Sequence, residues 1–224
     1  MTTLIFSDTH LTDKFEPDKF NKLKEVIKQA DRVIINGDFF DGHLVDFDDF
    51  CRSQWKKLFP LLKQKKAVYV LGNHDEKELL DERVKLFSDK VLDNFEFVSK
   101  GKKFIVEHGH HLAPSLEFKL GFIKKLRNLN FSKAIYKGYV DFKVFAIKLV
   151  GNQYHNYFNR LETEQIKRWA KKNLKANEYL IAGHTHYQTF DPKLRFIGAG
   201  MINYGFCQCV VIDSGKIKII NERY

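Results

Sequence analysis

Five short runs in this chain bring carboxylate, imidazole and amide side chains into close spacing. They are Asp8-Thr9-His10, Gly37-Asp38-Phe39-Phe40-Asp41, Gly72-Asn73-His74-Asp75, His108-Gly109-His110 and Gly183-His184-Thr185-His186. Such donors are hard to borderline and suit Mn²⁺, Fe or Zn²⁺. No cysteine is among them, so they do not spell a closed structural zinc site. They suit a pair of divalent cations about 3.5–4 Å apart, sharing one central Asp and surrounded by neutral donors. A pair of that kind polarises a phosphoryl group and makes hydroxide available at neutral pH. Singly, each run has a plainer reading. Asp-x-His is common, Gly-Asp after a strand makes a turn, and two histidines on one strand face can be satisfied by hydrogen bonds. Gly-Asn-His-Asp is rarer, because four consecutive non-core residues have no packing role. The metal reading rests on all five in order.

Each run follows a short apolar, β-branched segment: 2–7, 32–37, 67–72, 103–107 and 179–183. Ligands on an open α/β sheet sit beyond the carboxyl ends of its strands, and this pattern puts all five runs there. Between the strands, 18–30 repeats apolar residues at Phe20, Leu23, Val26 and Ile27, the period of a helix. Segments 47–65, 76–87 and 161–173 also read as helices. After Gly183 the pattern changes to successive strands at 194–202, 207–212 and 216–220, the last two joined by an Asp213-Ser214-Gly215 turn. The expectation is one α/β domain over 1–224, with parallel units and an antiparallel end.

In order and spelling the runs resemble the calcineurin-like metallophosphoesterases, whose signature reads D-x-H, G-D-x-x-D, G-N-H-D, H and G-H-x-H. The match spans Asp8 to His186. The resemblance implies two packed mixed β-sheets flanked by helices. It implies two divalent metals, Mn²⁺ first and Fe or Zn²⁺ as alternatives. Asp8, His10, Asp38 and His186 would hold one metal, and Asp38, Asn73, His108 and His184 the other, with Asp38 as the bridge. His74 would sit over the phosphate and stabilise charge or protonate the leaving oxygen. Around these, Asp41 is expected to orient a ligand histidine and Asp75 to do the same for His74. His110, and less so His111 and His43, are candidates for substrate contact. The spelling is similar to the branch that includes UDP-2,3-diacylglucosamine hydrolase, a pyrophosphate-cleaving enzyme, although that enzyme has Arg where this chain has His74. A phosphorylated substrate, a nucleotide- or lipid-linked diphosphate, is therefore expected. A nucleic-acid phosphodiesterase and a non-catalytic scaffold of the same fold are the alternatives.

Composition bounds the rest. With 44% hydrophobic and 29% charged residues the chain reads as globular. Three cysteines without metal spacing make no disulfide framework, and Cys207 and Cys209 should share one face of a strand. No apolar run is long enough to span a bilayer, and the N-terminus lacks the features of a signal peptide. A cytoplasmic protein, peripheral to the membrane at most, is expected. The net charge of +10 calls for a polyanionic partner. Between 111 and 160 there are nine Lys and Arg against Glu117 and Asp141, and ten aromatic residues lie between Phe118 and Phe158. Segment 114–160 reads as a helical, lid-like insertion, suited to an anionic membrane surface or, secondarily, to nucleic acid.

Overall fold

The computed structural model describes residues 1–113, 138 and 152–224, with the backbone alone for 152–158. The expected lid-like insertion lies almost wholly outside the described residues.

Two sheets pack face to face. The first contains β1 (Thr2–Phe6), β2 (Arg32–Asn36), β3 (Val68–Val70), β4 (Lys90–Leu92), β10 (Ile202–Asn203), β11 (Phe206–Asp213) and β12 (Lys216–Arg223), in the order β10-β11-β1-β2-β3-β4, with β12 on β11. The second runs β5 (Asn94–Ser99), β6 (Lys102–Glu107), β7 (Glu178–Ala182), β9 (Phe196–Gly198) and β8 (Thr189–Asp191). β1, β2 and β3 are parallel, and so are β6 and β7. The five runs leave these five strands at their carboxyl ends.

Alternation along each strand builds the layers, because successive side chains point to opposite faces. Ile5, Ile34, Val68 and Val210 meet Phe97, Phe104, Val106, Ile181 and Ile197 between the sheets. Leu4, Phe6, Val33, Ile35 and Tyr69 turn outward onto α1 (Pro17–Lys28), α2 (Phe47–Arg52) and α3 (Phe59–Gln64). Leu180, Ala182 and Phe196 turn outward from the second sheet onto Ile166 and Ala170 of α4 (Asn152–Asn173). Cys207 and Cys209 share the face beneath α1, as expected.

Some expected elements differ. The single helix expected over 47–65 is broken: the Ser53 hydroxyl accepts from Trp55 N–H at 3.2 Å and starts a new turn, Gln54–Leu58. Segment 76–87 forms two short tight turns, Lys77–Leu79 and Glu82–Leu86. The last helix starts at Asn152, nine residues before the expected 161, so the end of the insertion and α4 form one rod. β4, β5 and β8 were not expected; they are partly exposed strands with a weak apolar signal. No described helix is long and apolar enough to cross a membrane.

Candidate metal centre

Tight backbone pairing brings the loops after β1 and β2 together. Asp8 N–H reaches Gly37 O at 3.1 Å, while Thr9 and His10 N–H both reach Asp38 O, at 3.0 and 2.9 Å. The loop after β3 joins them through Gly42 N–H to His74 O at 3.0 Å and His74 N–H to Asp38 Oδ1 at 3.0 Å. The second sheet is clamped on from beneath by Asn36, whose Nδ2 donates to Glu107 O at 3.2 Å. Sequence reasoning missed Asn36, because a polar residue inside a strand gives no sign that it bridges two sheets.

Five of the seven expected ligand residues are strained. Asp8, His10, Asp38, His184 and His186 have φ of 54°, 44°, 51°, 66° and 52°. This left-handed region costs of order 1–3 kcal/mol per non-glycine residue and persists where the surroundings dictate it. Gly37, at φ 78°, has His108 so close that a Cβ there would lie 2.3 Å from its Nδ1. Gly72 admits no side chain either, since its Cβ would lie 2.2 Å from Asp38 Oδ1.

The donor atoms converge. Asp8, His10 and His186 form one group whose ligand atoms lie within 4.8 Å of one another, and Asp8, Asp38 and His108 form a second. Asp38 Oδ2 stands between them, 3.7 Å from His10 Nε2 and 3.4 Å from His108 Nε2. Asn73 Oδ1 approaches His108 Nε2 at 3.2 Å. His184 lies outside both groups. Its ring is 5.3 Å from that of His108, and its Nε2 donates to Ala113 O at 3.0 Å, which leaves Nδ1 as its lone-pair nitrogen. His108 Nδ1 likewise donates to Asn36 O at 2.8 Å and keeps Nε2 toward Asp38.

Three features fit this set to divalent cations. Asp8 Oδ1 is buried and lies 3.1 Å from His186 Nε2, so a carboxylate oxygen and an imidazole nitrogen converge there. His10 Nε2 and His186 Nε2 face each other at 3.2 Å, an arrangement that two lone pairs tolerate only with a cation or proton between them. Asp8 and Asp38 are both buried, and buried carboxylates need counter-charge. Burial pushes the Asp38 carboxyl up, but the charges of His108, His74 and His10 outweigh it and hold it well below the usual range. Burial lowers His108, yet Asp38 beside it carries it up to about 9. Burial and the His108 charge push His184 down to about 3. Without metal, a proton on His108 would supply part of the charge that a bound cation supplies.

Beside the ligand groups, Asp41 holds two imidazoles. Its Oδ1 accepts from His74 Nδ1 at 3.0 Å, and its Oδ2 lies 3.5 Å from His10 Nδ1. His43 stacks on His74 with ring centroids 4.2 Å apart, and its Nε2 donates to Asn73 O at 3.2 Å. Asp41 is the carboxylate on His74 Nδ1, while Asp75 accepts from Gly72 N–H at 2.6 Å, Phe39 N–H at 2.7 Å and the Tyr69 hydroxyl. Asp75 thereby braces the loops after β2 and β3. Tyr69 gave no signal in the sequence, where it reads as one more apolar strand residue.

The model of the calcineurin-like phosphoesterase family matches residues 1–188. None of the curated proteins compared with the chain matches it. Among solved structures, similarity extends to YfcE, a phosphoesterase from E. coli, at 14% identity and a TM-score of 0.49, covering 98% of this chain and 92% of that one. It extends also to a predicted phosphoesterase from Streptococcus pneumoniae, at 17% identity and 0.43, covering 100% and 92%. Zinc-bound Vps29 from Entamoeba histolytica is similar at 14% and 0.46, covering 100% and 99%. With a family match over most of its length and the two-sheet fold described above, the chain belongs to the calcineurin-like phosphoesterase family.

Proposed function

We propose that this chain is a dinuclear-metal phosphoesterase that hydrolyses a phosphate ester or pyrophosphate bond, with a nucleotide- or lipid-linked diphosphate as substrate. The observation that carries this reading is the position of Asp38 Oδ2, between His10 at 3.7 Å and His108 at 3.4 Å. One cation is assigned to Asp8, His10, Asp38 and His186, the other to Asp38, Asn73, His108 and His184. When bound, such a pair supplies Lewis-acid polarisation of the phosphoryl group and makes hydroxide available at neutral pH.

The chain's own residues do the rest. Backbone N–H groups and neighbouring imidazoles fix both carboxylates before substrate arrives, so little reorganisation accompanies the reaction. Asp41 accepts from His74 Nδ1 and sets the tautomer with the proton there. Once the ring takes a second proton, Nε2 is the nitrogen that presents it to a leaving oxygen. Nε2 lies 3.9 Å from Asp38 Oδ2, at the edge of the centre. A chain acting only as a scaffold has no use for that arrangement. The diphosphate reading is supported by the motif spelling, and the basic, aromatic composition of 114–160 supports contact with an anionic lipid surface.

The test is hydrolysis by protein loaded with Mn²⁺, comparing UDP-sugars and lipid-linked diphosphates with single-stranded oligonucleotides. Faster cleavage of the diphosphates supports the proposal. Faster cleavage of oligonucleotides replaces it with the nuclease reading, and activity surviving complete metal removal overturns it.

A further inference from the structure

The cluster of imidazoles continues past the residues assigned above. The His110 ring lies 5.5 Å from that of His108 and 6.3 Å from that of His184, and the His111 ring lies 3.8 Å from that of His110. His110 is 8% exposed, and its Nδ1 is buried without a hydrogen-bond partner among the described residues. His111 is exposed. An unpaired buried ring nitrogen forfeits a hydrogen bond that water would have supplied, so it calls for a partner in the working state.

The turn that carries the pair is built onto the metal centre. Gly109 has φ 104°, a conformation open to glycine, and lets the chain turn between His108 and His110. Leu112 and Ala113 N–H both return to Gly109 O, at 2.9 and 3.0 Å. Ala113 O in turn accepts from His184 Nε2 at 3.0 Å. One end of the turn is thus His108 itself, and the other is fastened to His184.

We propose that His110 and His111 form a second phosphate subsite, which binds the phosphate next to the one being attacked. The inference rests on the phosphoesterase reading and gives the second phosphate of its diphosphate substrate a seat. Imidazole N–H groups are donors to phosphate oxygens, and an oxygen seated against the turn supplies the partner that His110 Nδ1 lacks. An anion within about 3 Å of that ring lies on the flank of His108 and His184, where a phosphate adjoining the reacting one would extend. A substrate with a single phosphate fills the centre and leaves the pair unused.

The test uses the full chain loaded with Mn²⁺ and two non-hydrolysable probes, methylenediphosphonate and methylphosphonate. Binding is measured by calorimetry for wild type, His110→Gln, His111→Gln and the double variant, with metal content and circular dichroism recorded for each. The expected result is tighter binding of the diphosphonate by wild type and a loss of about 10- to 100-fold in the double variant. Monophosphonate affinity and metal content should stay within about twofold. Equal weakening of both probes, or no change in either, overturns the subsite. If His110→Gln fails to fold, His111→Gln and the wild-type preference between probes decide. If wild type hydrolyses a simple aryl phosphodiester but binds the two probes equally, the subsite falls and the phosphoesterase reading stands. If wild type binds no metal and cleaves no ester, both fall.

Discussion

Asp41 Oδ1 accepts a hydrogen bond from His74 Nδ1 at 3.0 Å, and both residues are buried. Because the other oxygen of Asp41 lies 3.5 Å from His10 Nδ1, one carboxylate orients both a metal-ligand candidate and the candidate acid. Replacing His74 by Ala should therefore leave metal content nearly intact and lower kcat by roughly 10²–10⁴-fold. Replacing Asp41 by Asn should lower kcat and also weaken metal binding by about 10- to 100-fold, as loss of an outer carboxylate does. Metal analysis beside steady-state kinetics separates the two, and a His74→Ala protein that purifies without metal would show that His74 is a ligand.

Asp38 is assigned to both cations. Asp38→Asn should lose both, and titration with Mn²⁺ should show no tight site, whereas Asn73→Ala should spare the site built on Asp8, His10 and His186. Retention of two tight sites in Asp38→Asn would contradict the bridge.

Metal-free protein should carry two pH signatures in thermal unfolding. His108, raised to about 9 from an ordinary 6.5, contributes stability that is complete below 6.5 and disappears as pH rises through 9. His184, lowered to about 3, acts oppositely: the unfolded chain takes up the proton first, so stability falls as pH drops from 6.5 toward 3. The metal-free protein should thus be most stable near pH 6.5. Mn²⁺ binding should strengthen from pH 6.5 to 9 as the competing proton leaves His108. A His108→Gln variant that keeps the alkaline loss of stability would refute the assignment.

Lys19 of α1 is fully buried, donating to Asn203 Oδ1 at 3.0 Å and to Glu16 at 3.4 Å, and burial lowers it to about 8 despite Glu16. Between pH 8 and 10.5 the unfolded chain binds the proton that the folded chain has released. Stability from this group therefore rises with pH, by up to about 3 kcal/mol. Lys19→Met lacks that gain, so the Tm difference between wild type and variant should shift in favour of wild type across this window. A difference independent of pH would rule it out.

Gly37→Ala should destabilise the fold by at least about 2 kcal/mol and abolish tight metal binding. The new Cβ would lie 2.3 Å from His108 Nδ1, in a backbone conformation unfavourable to alanine. Denaturant unfolding beside metal titration checks both, and a variant with wild-type stability would show that the loop relaxes.

Much of the site was legible in the sequence because it depends on local rules. A buried strand reads as an apolar run, a strand end reads as glycine, carboxylate or histidine, and side-chain chemistry needs no neighbours to be recognised. That is why Asp8, His10, Asp38, Asn73, His108, His184 and His186 could be marked at strand ends before any geometry was known. Partly exposed strands such as β4 and β5 bury too little for periodicity to show, and the break at Ser53 depends on one hydroxyl's choice of partner. Tertiary structure alone decided that the runs after β1, β2 and β3 meet those after β6 and β7 across two sheets. It also decided that Asp41 holds His74 while Asp75 braces the backbone. Those are pairings between residues up to 176 positions apart, as in His184 N–H to Asp8 Oδ2. Which of several equivalent donors and acceptors meet is fixed by the packing of the sheets, because hydrogen bonds act over about 3 Å and the sequence carries no distances.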